Sequence, residues 1–183
     1  VLFLKYEPKD VIITIGGFLL GPMVSFLVSL VVSLLEMVSI SETGPIGALM
    51  NLLSTCSFAC VASLIYKRRH TLRGAVEGLL AGAVVMVGTM LLWNWLITPL
   101  YMTGTSRSDV AAMLVPVFLP FNLLKAGLNS AFILLLYKPL VTALRKAHLV
   151  DAPKNPVAKK KTPWGIYLMA LFLLATCILL VLV

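Results

Sequence analysis

Six apolar segments, separated by polar or glycine–proline breaks, run along this chain. They cover residues 11–21, 23–40, 46–66, 74–97, 112–137 and 164–183. Gly21–Pro22 and Gly44–Pro45 separate the early segments, and Pro99 follows the fourth. Since about 20 apolar residues are needed to cross a bilayer as a helix, the longer segments predict transmembrane helices. Segment 11–21 is too short to cross alone unless it is tilted or buried among other helices.

The composition agrees with a membrane protein. Hydrophobic residues make up 60% of the chain and charged residues 12%, and the mean hydropathy is +1.02. A soluble domain of this length would expose far too much apolar surface to water. We therefore predict an all-α integral membrane protein, a compact bundle of about six transmembrane helices.

The charged residues predict the orientation in the membrane. Most of the 15 Lys and Arg residues lie in the loops 67–73 and 138–163, which are expected to be cytoplasmic. The outer side then holds residues 1–10, 41–45 and 98–111, and the Gly21–Pro22 bend lies inside. The net charge of +8 is concentrated in these loops, so it does not indicate nucleic-acid binding. Residues 150–163 form a basic cytoplasmic linker.

Three further features of the segments concern packing and charge. Gly74, Gly78 and Gly82 form a small-residue stripe that packs either within the chain or against a partner subunit. Glu77 is expected to pair with Arg73 one turn earlier. Glu36, near the outer end of its segment, is expected to reach water, and the alternative is that it approaches a site.

The sequence offers no sign of catalysis. Both histidines, His70 and His148, fall in the basic loops, and no metalloprotease, hydrolase or nucleotide-binding motif occurs. Cys56, Cys60 and Cys177 are expected to be buried thiols without a metal. We therefore expect no catalytic residue, no metal and no cofactor.

The fifth segment contains polar residues along one side. Asn122, Lys125 and Asn129 are spaced by three and four residues, so a helix aligns them. A lysine deep in the bilayer costs roughly 2.5–3.5 kcal/mol, and less near the interface. In one interpretation Lys125 extends to the outer surface and Asn122 caps the helix. In the other, they form part of a binding site.

Other polar groups are predicted at the same outer depth. Asn94 ends the fourth segment, Thr43–Gly44 precedes the third, and Tyr6, Glu7 and Asp10 lie in the outer N-terminal stretch. Amides both donate and accept hydrogen bonds, whereas lysine only donates. Together these groups suit a flat, uncharged, hydrogen-bonding heterocycle.

Four stretches resemble one known family. They are YEPKDVIITIGGFLLGP, TGPIGALMN, LIYKRRHTLRGA and PFNLLK, in this order, and the likeness covers roughly residues 4–146. In combination they resemble the riboflavin-specific substrate-binding component of energy-coupling factor (ECF) vitamin transporters. The resemblance implies a six-helix bundle in the prokaryotic plasma membrane that binds riboflavin, as a transported ligand, at its outer face. It also implies three partner proteins, a transmembrane coupling subunit and two cytoplasmic ATPases.

The resemblance also implies site residues. The flavin-binding positions correspond to Asn94, Asn122 and Lys125, with backbone contacts near Thr43 and Gly44. The stretch from Leu4 through Tyr6 to Asp10 would belong to the loop that closes over the ligand. Ala48 stands where the family pattern has an acid, so no role is transferred to that position.

Two departures from the family concern the ends of the chain. Residues 1–149 resemble the bundle without its first helix, and 164–183 form an additional C-terminal transmembrane segment. That segment could take the place of the first helix, or it could be an added helix on a chain whose N-terminus is lost.

Three other functions compete with riboflavin uptake. The fold could serve another vitamin or flavin-like ligand, which would need a different arrangement of charges. The chain could also be a structural or assembly protein of the membrane, in which the polar residues only join helices. A membrane enzyme is the weakest alternative, since no nucleophile–base set is visible.

Overall fold

The structure is a computed structural model, and it describes residues 6–39, 44–101, 104, 106–146, 171 and 175. Segment 164–183, apart from the helical positions 171 and 175, lies outside these residues, as do the linker and both Leu4 and Thr43. The arrangement expected of the last segment therefore stays a prediction.

The described chain is helical, and most of its helices follow the predicted apolar segments. Two stretches differ, because a short helix begins in the predicted outer loop 98–111 and the last long helix continues beyond residue 137 into the predicted cytoplasmic loop. The helices are α1 (Lys9–Leu20), α2 (Pro22–Ser39), α3 (Gly44–Arg69), α4 (Leu72–Tyr101), α5 (Arg107–Met113) and α6 (Leu119–Lys146), with a π-helical turn at Leu114–Phe118. Four stretches within these residues are long and apolar enough to cross a membrane, namely Pro22–Ser39, Gly44–Arg69, Leu72–Leu100 and Arg107–Leu140. The all-α membrane fold is confirmed.

Helix α1 is short and largely buried, as its length required. Its 12 residues span about 18 Å, well short of a bilayer core. Val11, Ile15 and Phe18 are nearly inaccessible and belong to the main core. At its end Gly21 adopts φ +104°, a conformation that glycine tolerates best, and α2 begins at Pro22. The short segment is therefore held among other helices.

The glycine stripe of α4 packs against α3 of the same chain. A Cβ at Gly78 would lie 2.7 Å from the carbonyl oxygen of Ala62, and one at Gly82 would lie 2.6 Å from that of Phe58. Only glycine permits this approach of two helix backbones. For Gly78 and Gly82 the packing within the chain is thus confirmed.

The fifth segment is interrupted before the polar residues. The N-terminus of α5 is fixed by a capping box, in which the Asp109 backbone N–H donates to Ser106 Oγ and the Ser106 backbone N–H donates to the Asp109 carboxylate. The π-helical turn Leu114–Phe118 follows and leads directly into α6. Pro116 and Pro120 lack the N–H groups that a continuous α-helix needs, which accounts for the changed hydrogen-bond register.

One end of the bundle gathers the parts that were predicted to face the cytoplasm. The Tyr66 and Tyr137 hydroxyls lie 2.6 Å apart, and the Phe18 ring stacks on Tyr66 with centroids 4.4 Å apart. Lys67 Nζ approaches the Gly21 bend, and it would lie 3.9 Å from a Cβ atom added at Gly21. The bend and the basic loop therefore lie at the same end, as expected.

The predicted ion pair between Glu77 and Arg73 is wrong. Glu77 forms an ion pair with Arg69, at the end of α3, rather than with Arg73 on its own helix. Since α3 and α4 are joined by a short turn, the end of one helix lies beside the first turns of the next. The expected i, i+4 pair is replaced by an interhelical one.

The outward faces of the helices are apolar. Val38 is 83% exposed, Val84 73% and Val115 71% in the isolated chain. Serines of α2, in contrast, point inward at every fourth position (Ser25, Ser29 and Ser33). This inside-out distribution fits lipid as the surrounding solvent.

Candidate functional site

Lys125 is buried in the bundle and does not extend to the surface. Its side chain is 6% exposed, and its ammonium lies 3.2 Å from Asp10 Oδ2. The same Nζ donates to Ser54 Oγ at 3.2 Å. A buried lysine without an anion would be strongly unfavourable, so Asp10 is what allows Lys125 to remain inside. The interpretation in which Lys125 reaches the interface is wrong.

Asp10 connects three helices at this point. It lies in the first turn of α1 with no exposed surface, and its Oδ1 accepts from Thr55 Oγ1 of α3 at 2.6 Å. Its Oδ2 accepts from Asn129 Nδ2 of α6 at 3.3 Å and forms an ion pair with the Lys125 ammonium. The position near a helix N-terminus also favours a negative charge. The sequence placed Asp10 in the outer stretch near the site but did not predict its contact with Lys125.

Tyr6 joins the stretch before α1 to the same group. Its hydroxyl donates to Asn129 Oδ1 at 3.0 Å. Asn129 therefore uses its carbonyl oxygen for Tyr6 and its amino group for Asp10, and the side chain is completely buried. The alignment of Asn129 with Lys125 on α6 is confirmed, and Tyr6 is one of the predicted site residues that the structure brings beside it.

Asn94 and Asn122 are both buried, but each amide is held by its own helix. Asn94 Nδ2 donates to the Met90 carbonyl at 2.7 Å, and its Oδ1 accepts from Thr98 at 3.0 Å. Asn122 Nδ2 donates to the carbonyl of Phe118 at 2.7 Å. Asn94 is 0% exposed and Asn122 is 1% exposed. The structure thus places both amides inside the bundle, with one of the two N–H donors of each amide bonded to its own helix.

A second polar cluster, called the outer cluster, lies between the ends of α1, α2 and α3 that are predicted to face outside. Lys9 Nζ lies 2.8 Å from Glu7 Oε2 and forms an ion pair with Glu36. Asn51 Nδ2 donates to Glu7 at 3.0 Å and to Glu36 at 3.2 Å. The expectation that Glu36 simply reaches water is wrong, because Lys9 and Asn51 hold its carboxylate between the helices.

Helix α3 connects these two clusters. Asn51 contacts the outer cluster, and Ser54 and Thr55, one turn further along, contact Lys125 and Asp10. The spacing of three and four residues puts all three on one face. This spacing of small polar residues inside an apolar segment is the signal that could have revealed them from the sequence.

Gly44 stands at the start of α3 and is the part of the predicted Thr43–Gly44 contact that the structure describes. It adopts φ +59°, and a Cβ there would meet nothing within 4 Å. Glycine adopts this left-handed conformation without the steric cost that a side chain would add. The expected roles of Thr43 and Leu4 concern residues outside the described part and stay predictions.

The electrostatics of the Lys125 site favour an uncharged molecule. Asp10 and Lys125 together are formally neutral, and the remaining groups there are hydroxyls and amides. Among the described residues, no three His, Cys, Asp or Glu side chains are grouped to hold a metal ion. Cys56 and Cys60 are free and half-buried rather than fully buried. The arrangement is suited to binding by hydrogen bonds.

Comparisons with known proteins agree with this architecture. Residues 1–137 match the family described as "ECF transporter, substrate-specific component". The riboflavin transporter RibU of Staphylococcus aureus (strain TCH60) is 29% identical over 149 residues, which cover 79% of this chain and 78% of the relative. A solved structure titled as the S component of a bacterial ECF transporter matches with a TM-score of 0.63 and 29% identity, over 79% of this chain and 84% of the other.

The family match covers well over half of the chain, and the structural match adds the same helical bundle. The family's members are membrane-embedded transporter components, which fits the membrane-spanning helices described above. This chain belongs to the family of substrate-specific components of ECF transporters, and it is accordingly a multi-pass membrane protein of a transport system.

Proposed function

We propose that this chain is the membrane subunit that binds riboflavin for uptake. The relative named for riboflavin transport shares 29% of its residues over most of both chains. The isoalloxazine ring of riboflavin is flat and uncharged, and it carries carbonyl acceptors and an imide N–H donor. Buried amides and one neutralised lysine offer the complementary groups.

The burial of Lys125 carries the proposal. Lys125 is 6% exposed and lies beside Asp10 and Ser54. Because burying a charged side chain in a membrane bundle costs free energy, its presence there supports a role in ligand binding. Asn122 lies three residues earlier on the same helix and is also buried. Both positions coincide with those that the family resemblance assigns to the flavin ring.

The partners proposed for this subunit follow from its family. A substrate-specific component of an ECF transporter works with an energising module, here a transmembrane coupling subunit and two cytoplasmic ATPases. The sequence contains no GxxxxGK[ST] motif, so the proposal assigns ATP hydrolysis to those partners. Riboflavin is the transported ligand, and no catalytic step on it is proposed.

A riboflavin titration of the purified, detergent-solubilised protein tests the proposal. We expect saturable quenching of flavin fluorescence, and weaker binding by Lys125→Met. Lys67→Met is the matched control, since Lys67 is an exposed lysine at the opposite end of the bundle. Its affinity should equal that of the unaltered protein.

Competition with thiamin identifies the ligand class. Thiamin is cationic and should not displace riboflavin, because the formally neutral Asp10–Lys125 pair provides no net negative charge to hold a cation. If the folded protein leaves riboflavin fluorescence unchanged but binds another vitamin, the riboflavin assignment is refuted. If the Lys67 and Lys125 variants bind riboflavin equally well, the site is elsewhere.

A further inference from the structure

The Asp10 carboxylate is buried and receives hydrogen bonds on both of its oxygens. Thr55 donates to Oδ1 at 2.6 Å, while Asn129 at 3.3 Å and Lys125 at 3.2 Å approach Oδ2. Asp10 is 0% exposed, so these donors replace the water that a carboxylate would otherwise bind. Its position is therefore determined by α3 and α6 together.

The same contacts determine the position of the Lys125 ammonium. An ammonium group has three N–H donors. Within the part of the chain that the structure describes, the acceptors at hydrogen-bond distance are Asp10 Oδ2 and Ser54 Oγ, each at 3.2 Å. Ser54 accepts from one of these donors and the Asp10 carboxylate holds the ammonium by an ion pair, so N–H groups remain for a ligand.

We infer that Asp10 is a positioning residue of this binding site, which orients the Lys125 ammonium and cancels its charge so that the site selects an uncharged ring over an anionic one. The inference rests on the proposed function, because it takes the ligand to be a flavin. A buried lysine alone would attract an anion strongly in this low-dielectric setting. Paired with Asp10, it offers a hydrogen-bond donor to a ring carbonyl without a net charge.

A purely structural role for Asp10 is the competing explanation, since the residue also joins three helices. The two explanations differ in how the site responds to charge on the ring. Oxidised flavin is neutral, whereas flavin reduced by two electrons is an anion at neutral pH. By linkage, the ratio of the affinities for the two forms sets the midpoint potential of the bound flavin. A tenfold change in that ratio corresponds to about 30 mV for a two-electron couple.

The experiment compares the full-length protein with Asp10→Asn, Lys125→Met and the double variant. Each is loaded with riboflavin, and both the affinity and the midpoint potential of the bound flavin are measured under anaerobic conditions. Asn retains the size of Asp and an oxygen that can accept from Thr55. We expect Asp10→Asn to weaken the binding of oxidised riboflavin about tenfold and to raise the potential by about 30 mV. Lys125→Met should lower the potential.

Thr55→Val is the matched control. It removes a hydrogen bond to Asp10 but leaves both charges in place, so the potential should stay close to that of the unaltered protein. The loss of affinity caused by Asp10→Asn should also be much smaller when Lys125 is already Met, because Asp10 acts through Lys125.

Two results would overturn the inference. One is an unchanged potential in Asp10→Asn, with the same loss of affinity whether or not Lys125 is present; Asp10 would then only join helices. The other is an unchanged or raised potential in Lys125→Met. This result would contradict the charge argument by itself, even if Asp10→Asn does not fold. A wild-type protein that does not bind riboflavin would instead refute the proposed function, and this inference with it.

Discussion

The hydroxyl of Tyr6 donates to Oδ1 of Asn129 at 3.0 Å, across 123 positions of sequence. This bond connects the stretch before α1 to the middle of α6. Because Asn129 also donates to Asp10, a movement of the outer stretch is coupled to the polar groups around Lys125. We therefore expect the contact to affect both stability and ligand exchange.

Replacing Tyr6 by Phe should accelerate the dissociation of riboflavin. The lost hydrogen bond is worth about 0.5–1.5 kcal/mol, which corresponds to roughly a 2- to 13-fold faster release if it is made in the bound state. Stopped-flow measurement of the recovery of riboflavin fluorescence, after addition of an excess of a non-fluorescent competitor, gives this rate.

Tyr137→Phe is the control for that prediction. It removes the 2.6 Å contact with Tyr66 at the opposite end of the bundle. It should lower thermal stability by a similar amount without changing the rate of release. Equal rates for the two variants would contradict a role for Tyr6 in ligand exchange.

Asn122→Ala should lower riboflavin affinity by about 1–3 kcal/mol, the typical cost of leaving a buried polar partner unsatisfied. Isothermal titration or fluorescence quenching measures the change. Thr142→Ala removes a side-chain bond to the Lys138 carbonyl on the same helix, but in an exposed position near its end. It should leave the affinity unchanged, and full affinity in Asn122→Ala would remove Asn122 from the site.

Gly78→Ala should destabilise the protein by more than about 2 kcal/mol, because the added Cβ would lie 2.7 Å from the Ala62 carbonyl oxygen and push α3 and α4 apart. Gly88→Ala on the same helix is the control. Its Cβ would meet nothing within 4 Å, so we expect a gain of roughly 0.5–1 kcal/mol from helix propensity. Thermal unfolding in detergent distinguishes them, and equal melting temperatures would show that the close approach is not required.

Glu36→Gln should reduce stability more than Glu77→Gln does. Glu36 is 25% exposed and is held by both Lys9 and Asn51, whereas Glu77 is 47% exposed and pairs with Arg69. Exposed ion pairs contribute about 0–1 kcal/mol, and added salt weakens them further. Melting temperatures at low and high salt provide the test. An equal or larger loss of stability in Glu77→Gln would show that the outer cluster is only an incidental surface contact.

The predicted orientation can be tested by labelling single cysteines. In a variant with Cys56, Cys60 and Cys177 replaced by Ala, Ser106→Cys should react with a membrane-impermeant maleimide added to intact cells. His70→Cys, in the turn between α3 and α4, should react only after permeabilisation. Both side chains are exposed, so burial does not confuse the result. Labelling of His70→Cys in intact cells would show that the topology is opposite to the predicted one.

The sequence by itself determined the membrane fold and the faces of its helices. Apolar runs with glycine–proline breaks predicted α1 to α4 to within four residues of their ends, but not α5 or the extension of α6 from residue 137 to Lys146. The spacing of Asn122, Lys125 and Asn129 predicted a shared side of α6. Both results are local, since a run or a period within one segment is enough to establish them. The π-helical turn before α6 was missed, because Pro116 and Pro120 show a break in hydrogen bonding but not how the helix accommodates it.

Only the tertiary structure decided which polar groups meet. Asn129 contacts Asp10 across 119 positions, and Thr55 contacts Asp10 across 45. Helical periodicity gives the face of each helix but not its neighbour. The neighbours are set by close backbone approaches, such as Gly78 on Ala62, and by the need to neutralise a buried charge. For that reason Lys125 was predicted from the sequence as a site residue, whereas Asp10, its buried partner, emerged only from the packing of α1 against α3 and α6.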